Sequence, residues 1–248
     1  MLFYRTYGSP DKQPIVFLHG FLGSSLDFIP LIEELQKEYF CLSLDLPAHG
    51  LSSYFPNTLL TVQKAIESLK IKPFLLGYSL GGRIALHLSQ KTSLPVKGTL
   101  IISSHIGLTH PSQKKIRLEL DLLWSQKLNT LSSQEFLQTW YEQPTFSSLQ
   151  KKPHLLKNLI EERLFTNPKE LSLILEEMSL AKQPLLNTFS SPTHFLYGEE
   201  DVKIKDLYTI LPPSLKTEIK NAGHTLHLEN PSDCLKAIQH WIIPSSQA

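Results

Sequence analysis

Short, continuously apolar runs alternate along the chain with longer stretches in which apolar residues recur every three or four positions. The runs at residues 14–18 (PIVFL), 39–44 (YFCLSL), 74–76, 96–103 (VKGTLIIS) and 193–197 are too short for helices and apolar on both faces, as strands inside a parallel sheet are. Residues 2–7 alternate weakly and suit an edge strand; residues 215–220 suit a last strand. Residues 26–39, 58–69, 204–211 and 232–242 read as helices, and Leu59, Val62, Ala65, Ile66 and Leu69 mark the buried stripe of the second. The rhythm breaks once. From His105 to about Ser190 there is no strand pattern, only helical segments at 113–127, 132–140, 153–165 and 168–179. The expected architecture is α/β: a mostly parallel central sheet flanked by helices, formed by residues 1–104 and 191–248, with an all-helical cap of residues 105–190 inserted over one sheet edge.

The run at 74–76 leads into Gly77-Tyr78-Ser79-Leu80-Gly81 and then into a helix carrying Ile84, Leu86 and Leu88. A serine at the apex of a strand-turn-helix takes up a strained backbone that only small neighbours permit, and Gly77 and Gly81 remove the side chains that would clash. Its hydroxyl then stands over the sheet edge with the Leu80 amide, at a helix N-terminus, pointing into the same space. A second loop, His19-Gly20-Phe21-Leu22-Gly23, follows the strand at 14–18, and ligand sites of open α/β sheets lie at that strand end. The amides of Phe21 and Leu80 together would make a two-donor oxyanion hole.

A serine hydroxyl becomes reactive when an imidazole takes its proton and a carboxylate orients the imidazole. Asp201 follows the strand at 193–197 and His224 follows the strand at 215–220, so Ser79, Asp201 and His224 form the expected triad. Glu199 and Glu200 are alternative acids, or with Asp201 a solvated turn. His227 is expected to pack or support, His49 to stabilise its loop, and His19 to shape the glycine loop.

Composition narrows the partners. Basic and acidic residues number 24 and 23, a net charge of +1, which leaves no electrostatic footprint for nucleic acid or an anionic membrane. No stretch approaches the roughly 20 apolar residues of a membrane span, and the first 14 residues lack the apolar core of a signal peptide. A cytoplasmic enzyme is expected, monomeric or at most a weak homo-oligomer, acting on a small molecule. Cys41 and Cys234 lack disulfide or metal-ligand spacing and are expected to pack; no metal is expected.

HGFLGS at 19–24, DLPAHGLS at 45–52, GYSLGGR at 77–83, GEED at 198–201 and AGHTLHLENP at 222–231 resemble the α/β-hydrolase superfamily. DLLWSQKL at 121–128, FLQTWYEQPTFSSL at 136–149 and SLAKQP at 179–184 narrow the resemblance to the 2-succinyl-6-hydroxy-2,4-cyclohexadiene-1-carboxylate synthase family of menaquinone biosynthesis. That resemblance implies a carbon-oxygen lyase without cofactor, which eliminates pyruvate from 2-succinyl-5-enolpyruvyl-6-hydroxy-3-cyclohexene-1-carboxylate. It also implies Tyr78, Arg83, Arg117, Trp140, Tyr141 and Arg163 as substrate-binding residues. One departure is Ile106, where the family has proline in the loop entering the cap.

The residues have readings of their own. A tricarboxylate substrate needs fixed cations, and arginine's planar fork suits carboxylates. Arg83 lies one helical turn past Ser79 and can face the site. Spacing alone favours a surface Arg117–Asp121 ion pair worth about 0.3–0.5 kcal/mol. Trp140 and Tyr141 diverge by about 100° on a helix unless it ends there, as Gln143-Pro144 suggests, and Trp140 also suits a cap core. The competing functions are a cytoplasmic carboxylesterase or carbon-carbon hydrolase on the same scaffold, and a non-catalytic ligand-capture protein.

Overall fold

The computed structural model describes residues 2–91, 93–165 and 167–246, the last four by backbone only. Seven strands form one sheet in the order β1-β3-β2-β4-β5-β6-β7: β1 (Tyr4–Tyr7), β2 (Pro14–Leu18), β3 (Phe40–Leu44), β4 (Phe74–Tyr78), β5 (Gly98–Ile102), β6 (Thr193–Gly198) and β7 (Lys216–Ile219). Only β1 runs antiparallel, against β3. The central strands are aligned at their carboxyl ends, with Leu18 opposite Leu44 and Gly77, Tyr78 opposite Ile102, and Gly198 opposite Ile219. Whatever follows each strand therefore emerges along one edge, and the serine, acid and histidine loops meet there.

Helices cover both faces. Val16 and Leu18 of β2 pack with α2 (Thr58–Ser68) and α3 (Leu80–Ser89), while Ile15 and Phe17 face α1 (Ile29–Leu35) and the terminal helix α10 (Pro231–Ser246). The two-sided burial is why these strands read as unbroken apolar runs. Cys41 and Cys234 are buried, unbonded members of the second layer.

Helix ends carry most of the differences from the sequence pattern. The helix expected at 26–39 is reduced to α1, because Asp27 accepts from the Ser24 amide and turns the chain before Pro30 opens the helix. The helix expected at 204–211 is α8 (Val202–Leu207) continued by a 3-10 turn at Tyr208–Ile210, and a short α9 (Leu226–Glu229) precedes α10.

Between β5 and β6 the described residues form only helices: α4 (Pro111–Thr130), α5 (Ser133–Tyr141), α6 (Pro153–Glu162), α7 (Pro168–Glu177) and short 3-10 turns. A Ser132–Glu135 capping box starts α5, and prolines start α4, α6 and α7, where a missing N–H costs nothing. This cap has its own core of Leu128, Phe136, Leu137, Tyr141, Phe146 and Leu159, which Leu22 of the glycine loop joins. Ile106, in place of proline, is buried in the main core, and its carbonyl accepts from Leu186 at 2.7 Å, tying together the two crossings into and out of the cap. Among the described residues no helix is long and apolar enough to cross a membrane.

Candidate active site

The turn after β4 places Ser79 at φ 49°, ψ −107°, a left-handed strain that packing must enforce. The enforcing contacts are tight. A Cβ on Gly81 would lie 2.0 Å from the Leu18 carbonyl oxygen, and one on Gly77 would lie 2.4 Å from that of Gly81. The Ser79 amide donates to Ile102 at 2.9 Å, and its carbonyl accepts from the Ser104 hydroxyl at 2.7 Å.

Three loops meet at this turn. His224 Nε2 lies 3.1 Å from Ser79 Oγ, and its Nδ1 lies 2.6 Å from Asp201 Oδ2. Asp201 is 2% exposed, and its other oxygen caps α8 by accepting from the Ile204 amide at 3.4 Å. The neighbouring acids go elsewhere: Glu199 pairs with Lys220 and Glu200 with Lys151 of the cap. Of the acidic run, Asp201 alone meets the imidazole, with Nδ1–H the donor in the tautomer that leaves Nε2 free to accept from Ser79.

The glycine loop passes directly beside the serine, since a Cβ on Gly20 would meet the Tyr78 ring at 2.6 Å and Ser79 Cβ at 3.6 Å. Leu80 is the first residue of α3, so its amide has no intrahelical acceptor, and among the described residues neither it nor the Phe21 amide donates to protein. His19 shapes this loop: Nδ1 meets the Gly20 carbonyl at 2.7 Å and Nε2 accepts from the Leu46 amide at 2.9 Å. Burial pulls His19 down to about 4 and His49 to about 3, so both are neutral. His227 is clasped between Tyr78 and Phe28, its ring nitrogens without hydrogen-bond partners among the described residues, and burial lowers it far below the usual imidazole range.

Aromatic side chains of the cap close over the triad. The Phe146 ring stands edge-on to His224 at 5.6 Å, and Trp140 meets Phe21 at 5.4 Å while packing on Trp124 and Phe136. Helix α5 does end at Tyr141, and the two neighbouring rings diverge: Trp140 reaches the glycine loop, and the buried Tyr141 accepts from Arg163 Nη1 at 2.6 Å.

The candidate cations fall into two groups. Arg83 Nη1 donates to Met178 O and Gln183 Oε1 of the cap; burial and the charge of Arg117 lower this guanidinium to about 9, still protonated at neutral pH. Arg117 grips both Asp121 oxygens through Nε, at 2.8 and 2.9 Å, so the ion pair read from spacing forms, with Asp121 buried and also bonded to Ser179. Burial, then Lys203, Arg117 and Arg83, lower His105 to about 3, and Lys203 is itself lowered by burial and by Arg117. Lys203, two residues past Asp201, was not picked out by the sequence reading; its place beside a triad loop was the available signal.

Arg163 belongs to the second group. Its Nη1 goes to Tyr141 and its Nη2 to Asp27 at 2.7 Å, beside a cavity of about 800 Å³ lined by Leu22, His49 and Leu159 among others. Tyr78 lies between this group and the triad; burial raises its phenol well above the usual range, against the pull of Arg163.

A strained serine, an acid and a histidine, in that chain order on a mostly parallel sheet, define the class. The chain belongs to the alpha/beta hydrolase family, whose model matches residues 15–237. Its relatives narrow the membership to the group named 2-succinyl-6-hydroxy-2,4-cyclohexadiene-1-carboxylate synthase. The protein of that name from Enterobacter sp. is 34% identical over 91% of this chain and 90% of its own, and that from Citrobacter koseri is 32% identical over 93% and 94%. The solved structure of MenH from S. aureus matches with a TM-score of 0.89 at 24% identity over 98% of both chains, a likeness of fold.

Proposed function

We propose that this protein eliminates pyruvate from 2-succinyl-5-enolpyruvyl-6-hydroxy-3-cyclohexene-1-carboxylate, giving the 2-succinyl-6-hydroxy-2,4-cyclohexadiene-1-carboxylate for which its relatives are named. The observation that carries the reading is the single imidazole, His224, bonded to Ser79 on one side and Asp201 on the other. His224 draws the proton from Ser79 Oγ, and Asp201 stabilises the resulting imidazolium. The serine oxygen removes the ring proton alpha to a carbonyl or carboxylate. The C–H electron pair becomes the new ring double bond as the C–O bond to enolpyruvate breaks. The leaving group takes up a proton delivered through His224 and tautomerises to pyruvate. The amides of Phe21 and Leu80 hold the negative charge that develops on the substrate oxygen.

In this reading Arg83 and Arg117 bind substrate carboxylates through the guanidinium nitrogens that their protein partners leave free, and Tyr78 and Trp140 wall the ring. Arg163 acts through Tyr141, which it holds. The Phe146 ring against His224 and the Trp140 ring against Phe21 narrow the approach to the serine. We place the enzyme in the cytoplasm.

The test is a coupled pyruvate-release assay with the enolpyruvyl substrate, beside a short p-nitrophenyl ester. Pyruvate release with feeble esterase activity, lost about 10⁴-fold or more in Ser79→Ala, is the expected result. Ester cleavage without pyruvate would overturn the lyase assignment, and an active Ser79→Ala variant would overturn the role of the serine.

A further inference from the structure

The Leu80 N–H belongs to a peptide group whose other end is held. A peptide is planar and its carbonyl and N–H point in opposite directions, so the direction of the Ser79 carbonyl sets the aim of the Leu80 N–H. That carbonyl accepts twice: from the Arg83 amide at 3.1 Å, the first bond of α3, and from the Ser104 hydroxyl at 2.7 Å. The hydroxyl reaches it because Gly82 leaves room; a Cβ there would come 2.6 Å from Ser104 Cβ and 2.8 Å from its Oγ.

Ser104 is itself fastened. It lies buried, two residues past β5. Tyr208, at the end of α8, accepts from the Ser104 amide at 3.1 Å and donates to its carbonyl at 2.6 Å. One phenol thus satisfies both backbone groups of one residue. Its ring is fully buried, edge-on to Phe195 and Tyr197 of β6. Burial raises the phenol above its usual range, so it keeps the proton it donates.

We infer, resting on the reading of Ser79 as the reactive serine and the Leu80 amide as an oxyanion donor, that Ser104 is a positioning residue for the oxyanion hole. Its hydroxyl aims and polarises the peptide that presents the Leu80 N–H, and Tyr208 holds Ser104 in place to do so. Aim matters because the donor must meet the oxygen where charge develops, in a geometry fixed before reaction. Polarisation adds to it: a carbonyl that accepts a hydrogen bond makes the N–H of the same peptide a stronger donor, by about 10–30% per bond in a chain. Neither effect touches the imidazole, whose partners are Ser79 Oγ and Asp201.

Ser104→Ala removes the hydroxyl and leaves both backbone bonds to Tyr208. Tyr208→Phe does the reverse. Ser103→Ala serves as control, since that neighbouring hydroxyl is buried with no hydrogen-bond partner among the described residues. Two rates are measured: pyruvate release, and covalent labelling of Ser79 by a fluorophosphonate, which puts a phosphoryl oxygen in the hole and needs no native substrate. The downfield proton resonance of the His224–Asp201 hydrogen bond reports separately on the imidazole. Losing an oxyanion donor outright costs roughly 100- to 1,000-fold. Ser104→Ala keeps the donor, so kcat and the labelling rate should fall about 5–30-fold, with KM within about twofold and the downfield resonance unmoved. Tyr208→Phe should lower both rates about 3–10-fold and the thermal midpoint as well, because two buried backbone groups lose their partner. The control should match wild type. Wild-type rates in Ser104→Ala overturn the inference, as does a loss of rate accompanied by a shifted resonance, which would trace the defect to the histidine. Should Tyr208→Phe fail to fold, Ser104→Ala decides alone. A wild-type protein that neither labels nor releases pyruvate overturns the reading of Ser79 and the inference with it. Labelling without pyruvate release faults the substrate alone, and the role of Ser104 is then judged on the labelling rates.

Discussion

Arg163 Nη2 lies 2.7 Å from Asp27 Oδ2, joining the end of cap helix α6 to the turn before α1, and both side chains are more than nine-tenths buried. Burial penalises each charge, yet the pair holds the arginine proton above its ordinary range, while burial raises the Asp27 carboxyl. The pair fixes where the cap sits against the glycine loop. Removing one partner strands the other charge, so Asp27→Ala should cost about 3–5 kcal/mol. Replacing both, as Asp27→Leu with Arg163→Met, should return stability to within about 2 kcal/mol of wild type, because apolar groups need no countercharge. Urea unfolding of the three proteins checks this; a double variant as unstable as the single would show that the site is not governed by charge burial.

Gly81→Ala tests the serine turn. The added methyl would lie 2.0 Å from Leu18 O, 2.4 Å from Leu18 C and 2.5 Å from His19 O, all backbone atoms that cannot swing aside. Helix α3 must shift away from β2, at a cost of about 1–3 kcal/mol, and Ser79 and the Leu80 amide shift with it. Fluorophosphonate labelling should fall far more steeply than the thermal midpoint.

Arg83→Lys separates the lyase reading from a general esterase. Lysine keeps the charge but has one nitrogen, which cannot both hold Met178 O and Gln183 Oε1, as Arg83 Nη1 does, and present the remaining planar donors to a carboxylate. A hydrogen bond to a charged group is worth about 1.5–3 kcal/mol, so KM for the polyacid should rise about 10–100-fold. Fluorophosphonate labelling should stay within about threefold of wild type, since that probe carries no carboxylate to bind.

The parts of this molecule legible in its sequence are those whose determinants are local. PIVFL announced β2 at its true boundaries, because burial on both faces leaves no polar residue to blur them. Ser79, Asp201 and His224 could be read because each follows a strand, and the aligned strand ends deliver them to one place. Long-range pairings left no such mark. Asp27 and Arg163 are 136 residues apart, Ser104 and Tyr208 104, and nothing near any of the four specifies its partner. Ser104 had a faint local signal as a polar residue just past a buried strand, but its target is backbone, which no residue pattern encodes. Helix α8 was misread at its start for a related reason: Asp201 caps it while also serving the histidine.

Acid should weaken the fold through the glycine loop. His19 and His49 stand with ring centroids 5.1 Å apart and are wholly buried, and burial lowers them to about 4 and about 3. The unfolded chain takes up protons at these side chains near pH 6.5, whereas the folded protein does not until about pH 4. Between those values the unfolded state binds more protons, so stability rises with pH through this window and is lost as pH falls from about 6.5 toward 4. At pH 5 each histidine should withdraw roughly 2 kcal/mol relative to neutral pH. His49→Asn keeps a donor for the Pro47 carbonyl, which His49 Nδ1 meets at 2.8 Å, but cannot titrate. Urea unfolding at pH 7, 6 and 5 should therefore show a shallower loss of stability in the variant than in wild type. Parallel curves would mean that His49 is protonated in the folded protein, and the packing of Phe21 against it would then have to tolerate a charge.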